Sequence, residues 1–407
     1  MSRVRLTVTG LTVLVAIAFG GSPNACHGKP IDDVDAVAGP VRLVLPPVIY
    51  AIPELECNVY FDNVILTLNS KNYAFDVTSP VGLQFQERWA FTPSAEDIGE
   101  YPITIDVRDE FNTLVAHGHS TIRVADTQLP AADPATLLMV GASFTQYSIY
   151  PRHVLNLSRN GLKPGLVLVG SRGVGNMPPT DDLRHEGYSG WTAEAFAVLA
   201  GPLARSGYQQ RGATGSPFVY ESEDGSRVLD FGRYSTELNG GKGPDLVTIQ
   251  VGTNDVFGAN DDTIDQTIDE MFVHYNAVIE SIHKFRRDTR VGVQMVTPPS
   301  ISQDGFRNYT GAGKQTRWQF RRNQHRLMER MVRDFSNRVD EHIYLVPTYL
   351  NLDTAHHFPT WSPQINARFE QTMSRVNNGT HPSEPGYQQI GDTIYCWIVN
   401  MLASANK

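Results

Sequence analysis

Four short segments of this chain carry residues able to do acyl chemistry. Gly141-Ala142-Ser143 supplies a hydroxyl. Gly190, within His185-Glu186-Gly187-Tyr188-Ser189-Gly190-Trp191-Thr192, supplies a main-chain N–H on a residue free to turn. Gly252-Thr253-Asn254-Asp255 supplies a side-chain amide, and Asn378-Gly379-Thr380-His381-Pro382 an imidazole. Nucleophile, oxyanion donors and general base are the groups that serine acyl transfer requires. Each segment also has a plainer reading. Ser143 by itself reads as a helix N-cap, Gly190 as a turn, Asn254 and Asp255 as Asx-turn residues, and His381 as a surface residue capping the last helix. Only the ordered set favours the chemical reading.

The flanking pattern says what must hold these residues. From Thr127 to Pro134 a polar, proline-containing stretch marks a domain boundary. Beyond it, continuous apolar runs at Leu137–Val140, Leu166–Val169, Leu246–Val251, Val291–Val296 and Ile343–Val346 predict parallel strands covered on both faces. Helical patterns lie between them. The clearest places Ile264, Ile268, Met271, Phe272, Tyr275, Val278, Ile279 and Ile282 on one face, preceded by Asp261 and Asp262. A second runs from about Lys314 to Asn337, and a last one from Pro385 carries Ile390, Ile394, Ile398 and Leu402. This is a βαβ series and hence a doubly wound α/β domain. Ser143, the 185–192 segment and Asn254 then follow strands, where open α/β sheets bind ligands. Residues 206–242 show little periodicity and read either as a functional insertion or as a surface excursion.

Upstream, Val41–Leu45, Asn58–Phe61, Val64–Leu68, Tyr101–Val107 and Ser120–Val124 read as short strands with no helix between them. Asn58–Phe61 and Val64–Leu68 look like a pair turned at Asp62-Asn63. Asp97-Ile98-Gly99-Glu100-Tyr101 resembles a tyrosine corner, so residues 41–126 are expected to form a small immunoglobulin-like β-sandwich. The domain reading is therefore a signal peptide over 1–25, a linker over 26–40, the sandwich over 41–126 and the α/β domain over 135–407.

In this order the four segments resemble the SGNH (GDSL-type) hydrolases. Gly141-Ala142-Ser143 stands where that family has Gly-Asp-Ser, Gly190 matches its second-block glycine, Gly252-Thr253-Asn254-Asp255 its third block, and His381-Pro382 its fifth. The resemblance spans nearly all of Leu137 to Leu402. It implies a three-layer, flavodoxin-like α/β fold with a parallel sheet and hydrolysis of esters or thioesters. Ser143 would be the nucleophile and His381 the base. The N–H groups of Ser143 and Gly190, with the Asn254 amide, would form the oxyanion hole. The His185–Thr192 version resembles exported members that remove acetyl groups from polysaccharides. Two departures stand out. Ala142 replaces the usual aspartate, and Asn378 occupies the place of the triad aspartate, where an amide oxygen could still orient His381 but adds no charge. Tyr188, Trp191 and Trp361 are candidate sugar-binding aromatics. The alternatives are a weakly active or non-catalytic glycan-binding protein of the same fold, favoured by Asn378, and an acyltransferase.

Composition narrows the rest. The 407 residues carry a net charge of −9 and a pI near 5.7, which gives no basic excess for nucleic acid. Arg3 and Arg5 before the apolar run Leu11–Phe19, followed by small residues to Ala25, read as a secretory signal too short to span a bilayer. An exported protein without an integral membrane span is expected, with Cys26 as a minority lipidation site. Cys57 and Cys396 could pair across the two domains. His356-His357 has no carboxylate at metal-binding spacing, so neither a metal nor another cofactor is expected, and the expected partner is an acylated carbohydrate or other ester.

Overall fold

Period-two alternation in the first apolar run sends its side chains to two different cores. Leu137 and Met139 point to one face of the sheet, Leu138 and Val140 to the other. The computed structural model describes residues 41–128, 133–161, 165–201, 215–306 and 315–404. The signal segment, the linker and Cys26 lie outside the described residues. All described residues belong to one compact unit, Val37–Lys407.

The N-terminal part is built from two sheets. Its strands are β1 (Val48–Ala51), β2 (Cys57–Tyr60), β3 (Ala74–Thr78), β4 (Arg88–Phe91), β5 (Gly99–Arg108) and β6 (Leu114–Val124). One sheet has the order β1–β6–β5–β3, with β1 parallel to β6 and the other pairs antiparallel. The other joins β2 to β4, and β4 to the short strand Leu83–Gln84. Val59, Trp89 and Phe91 of the second sheet share a core with Ile103, Ile105, Val107 and Ile122 of the first, an arrangement compatible with a β-sandwich.

The expected pair turned at Asp62-Asn63 does not form. Phe61–Val64 is a helical turn, and Ile65–Leu66 pairs instead with Arg42–Leu43. The reason is tertiary. Asn63 is fully buried, and its amide donates to the carbonyls of Tyr349 (2.7 Å) and Leu352 (2.8 Å). Buried Arg321 also donates to the carbonyls of Asp62 and Ile65, and the Tyr349 hydroxyl donates to Val44 O at 2.9 Å.

The α/β part follows in the order β7 (Ala135–Gly141), α1 (Ser143–Gln146), α2 (Ile149–Gly161), β8 (Leu166–Val169), α3 (Ala193–Val198), α4 (Phe231–Leu238), β9 (Leu246–Gln250), α5 (Ile264–Phe285), β10 (Arg290–Gln294), α6 (Arg317–Phe335), β11 (Ile343–Val346) and α7 (Glu384–Ser404). The strands are all parallel and ordered β8–β7–β9–β10–β11, with the stub Glu186–Gly187 added beside the end of β7. This is the flavodoxin-like order, and it reverses between β7 and β9, where such sheets open a crevice at their carboxyl ends. Helices α2 and α7 cover one face through Tyr150, Val154, Ile394 and Trp397. Helix α5 covers the other through the apolar stripe read from the sequence. The segment 206–242 is more ordered than its composition suggests. From Val219 it forms a hairpin with Arg227–Leu229, then α4, which buries Phe231 and Tyr234. Residues 202–214 lie outside the described part.

Candidate active site

Ser143 opens α1 directly after β7, with 7% of its surface exposed. The preceding Ala142 N–H donates to Gln250 O at 3.1 Å, which locks the end of β7 to β9. Helix α1 is a single turn because Ser148 adopts φ 65° and breaks it from α2. The Ser143 Oγ lies 2.8 Å from Nε2 of His381, which is 238 positions away in the chain.

His381 sits in the turn that enters α7. Asn378 Oδ1 accepts the main-chain N–H groups of Thr380 (3.0 Å) and His381 (2.9 Å). Its acceptor therefore shapes the turn. Among the described residues no hydrogen bond reaches Nδ1 of the imidazole. Burial, the only cause acting, pulls the His381 pKa down to about 4, so the ring is the neutral base at neutral pH. Phe144 of α1 and Tyr147 at its C-cap pack on it, with ring centroids 5.2 and 5.1 Å away.

Gly190 holds φ 81°, a left-handed conformation that favours glycine. Its loop is pressed onto α1. A side chain at Gly187 would meet the Gln146 N at 2.5 Å, Tyr188 N–H donates to Gly141 O, and Ser189 N–H donates to Gln146 Oε1. Asn254 joins the same loop, its Nδ2 donating to Trp191 O at 2.9 Å. Asp255 accepts from Ala193 N (2.8 Å) and Gly252 N (3.0 Å), and burial pushes its carboxyl up to about 6. These ties bring the second and third sequence segments together, as Ser143 and His381 are brought together by their own contact. The ensemble can present a hydroxyl, a base and amide donors at the sheet's carboxyl edge.

A family model for GDSL-like lipases and acylhydrolases matches residues 138–394. The chain belongs to this family. It is therefore a carboxylic ester hydrolase. Among curated proteins no sequence matches it. Solved structures similar to this GDSL-like hydrolase include a carbohydrate esterase family 3 protein from Talaromyces cellulolyticus (16% identity, 66% of this chain and 99% of that chain, TM-score 0.38). A family 3 carbohydrate esterase from Clostridium thermocellum shows 16% identity over 68% and 100% of the two chains, TM-score 0.37. A carbohydrate acetylesterase from Sinorhizobium meliloti shows 13% over 66% and 99%, TM-score 0.36.

The aromatics named from the sequence of this GDSL-like hydrolase fall in different places. Tyr188 is buried, stacks on Trp191 at 4.2 Å, and donates its hydroxyl to Glu186 at 2.8 Å, so it presents no face to a sugar. Trp191 is half-buried between Tyr188 and Phe196. Trp361 is exposed in a short strand paired with Arg375–Val376, which leads into the His381 turn. His356 and His357 bond Asp353 and Gln389. Cys57 and Cys396 are both buried free thiols that line one small cavity of about 10 Å³.

Sequence reasoning missed a buried carboxylate under the Gly190 loop. Glu186 is fully buried and accepts from Ser171 N (2.7 Å), Ser171 Oγ (2.9 Å), the Tyr188 hydroxyl (2.8 Å) and the Tyr234 hydroxyl (2.9 Å). The Arg172 guanidinium lies 3.9 Å over the Tyr188 ring. Beside it His185 bonds Ser148 Oγ at 2.9 Å and accepts from Gly187 N–H at 3.1 Å. Burial first, then the Arg172 charge, hold His185 neutral with its pKa down to about 3. The one local signal was a charged residue in the middle of the His185–Thr192 segment.

Proposed function

We propose that this protein is an exported serine esterase that hydrolyses acyl esters, foremost acetyl esters, on carbohydrate. The observation that carries the mechanism is the 2.8 Å contact between Ser143 Oγ and His381 Nε2 beside the Gly190 loop and Asn254. His381 takes the hydroxyl proton as Ser143 attacks the ester carbonyl. The tetrahedral oxyanion is held by the N–H groups of Ser143 and Gly190 and by the second N–H of the Asn254 amide, each such donor being worth about 10²–10³ in rate. The imidazolium then protonates the departing alcohol, and water, deprotonated by His381, releases the acid from the acyl-enzyme. Asn378 serves this site by holding the His381 turn. No residue in the mechanism calls for a metal or another cofactor.

Three sequence features support the finer parts. The His185–Thr192 segment resembles that of polysaccharide-deacetylating members. The Arg3, Arg5 and Leu11–Phe19 pattern supports export, and no helix among the described residues is long and apolar enough to cross a membrane. The mostly β region over 41–126 is proposed as an immunoglobulin-like domain that packs within the same compact unit as the hydrolase domain over 135–407, with exposed Trp361 as a sugar contact. One observation favours a second reading, a weakly active glycan-binding protein: no carboxylate backs His381 among the described residues. Acetate release from acetylated xylan and from nitrophenyl acetate, with Ser143→Ala as the control, separates the two. We expect release by the wild type and none above background by the variant; equal rates would overturn the esterase reading. Product analysis with an added sugar acceptor distinguishes transfer from hydrolysis.

A further inference from the structure

A histidine that must take a proton from a serine hydroxyl needs its ring held in one plane. A single hydrogen bond at Nε2 leaves the ring free to turn about that bond, and a carboxylate at Nδ1 ordinarily removes this freedom. Here the carboxylate position is Asn378, whose side-chain oxygen is committed to two main-chain N–H groups. The ring is instead flanked by two aromatic neighbours one turn of α1 apart in sequence. Phe144 lies at 5.2 Å with an interplanar angle of 42°, and Tyr147 at 5.1 Å with an angle of 82°. Both are braced from α7 by Tyr387, at 5.7 Å from Phe144 and 6.1 Å from Tyr147.

We infer that Phe144 and Tyr147 take the place of the missing carboxylate, with Tyr147 the positioning residue that holds the His381 imidazole on the Ser143 hydroxyl. This rests on the reading of Ser143 and His381 as the reacting pair. Two rings inclined differently to the imidazole block its rotation where one would not. Centroid separations near 5 Å are those of favourable aromatic pairs.

The groups facing His381 are Ser143 and Phe144 from α1, Tyr147 at its C-cap, Tyr387 from α7 behind them, and Asn378 from its own turn; none of them is a carboxylate, a lysine or an arginine. Burial is accordingly the only cause that lowers its pKa. Tyr147 also supplies part of that burial. Because Tyr147 is 48% exposed while Phe144 is only 2% exposed, Tyr147 can be altered without opening the core.

The test is nitrophenyl acetate hydrolysis by wild type, Tyr147→Leu, Tyr147→Phe and Ser143→Ala across the acid limb, with folding checked by circular dichroism. His381 is titrated in parallel by NMR in Ser143→Ala and in Ser143→Ala/Tyr147→Leu. Tyr147→Leu should lower kcat roughly three- to tenfold, the size of one aromatic pair, with KM little changed. Its acid midpoint should move up from about 4 toward the ordinary histidine value of about 6.5. Tyr147→Phe, which keeps the ring, should restore both. An unchanged kcat and midpoint in Tyr147→Leu, a loss confined to KM, or a Tyr147→Phe as impaired as Tyr147→Leu would overturn the inference. Full activity in Ser143→Ala would instead overturn the reading of the reacting pair. The NMR titration still reports on the cage in that case: an equal His381 pKa with and without Tyr147 refutes it.

Discussion

Replacing Glu186 with alanine should unfold this hydrolase more readily than any substitution on its surface. The carboxylate is fully buried and accepts four hydrogen bonds, from Ser171 N, Ser171 Oγ, Tyr188 Oη and Tyr234 Oη. Truncation leaves four donors without their acceptor, each costing about 1–3 kcal/mol where water cannot reach it. Relaxation and water entry recover part of this, which leaves a loss of roughly 4 kcal/mol or more against a total stability of ~5–15 kcal/mol. Glu186→Gln retains the shape and one carboxamide oxygen but turns an NH2 toward donors, so it should fall between alanine and wild type. Urea unfolding of the three proteins, with midpoint and slope fitted separately, measures the difference. Because Glu186 precedes Gly190 by four residues, and Tyr188 between them is one of its donors, kcat of the Gln variant should drop while the protein remains folded. An alanine variant destabilised by less than ~1 kcal/mol would show that the carboxylate is not the hub of this cluster, and the reasoning from buried donors would fail.

Further outcomes follow from the same geometry. Asn378→Asp should raise the His381 pKa above about 4, and the acid midpoint of activity with it, since a nearby carboxylate favours the imidazolium. It should also raise kcat roughly tenfold or more, a fraction of the ~10⁴ that the reverse change costs in a chymotrypsin-type triad; an unmoved midpoint would mean that position 378 does not reach the ring. Stability should fall on acidification. Burial holds His185 and His381 at about 3 and about 4, and holds His325 well below its usual value with help from Arg321. The folded state keeps these rings neutral while the unfolded chain protonates them near 6.5, so stability is lost as pH drops from about 6.5 toward 3. Asp255, raised to about 6 by burial, works in the opposite sense: its contribution is present at low pH and lost as pH rises through about 6. With His283, also lowered by burial, four histidines stand against two raised carboxyls, Asp255 and Glu329, and set the sign; a melting temperature that is flat or rising between pH 6.5 and 4 would contradict it.

Much of this protein is legible from local pattern. The five apolar runs and the α5 stripe of Ile264, Ile268, Met271 and their neighbours correspond to observed elements, because burial on two faces or one imposes its period directly on the residues. The segments at Ser143, Gly190, Asn254 and His381 were visible for a related reason: tight turns at strand ends need particular small and polar residues. Tertiary structure decided what local pattern does not encode. The amide of Asn63 finds its partners 286 and 289 positions away, so Asp62-Asn63 becomes part of a helical turn and no hairpin forms. Tyr188 looked like a surface aromatic and is buried over a carboxylate that no periodicity announces. Asn378 could have oriented an imidazole, but its oxygen goes to the nearest main-chain donors. The rings beside His381 come from a helix more than two hundred residues upstream. Sequence determines which groups a chain offers, because periodicity and turn chemistry are local. Which group meets which is decided only when the sheet closes, because each buried polar atom then takes the partner that packing leaves within reach.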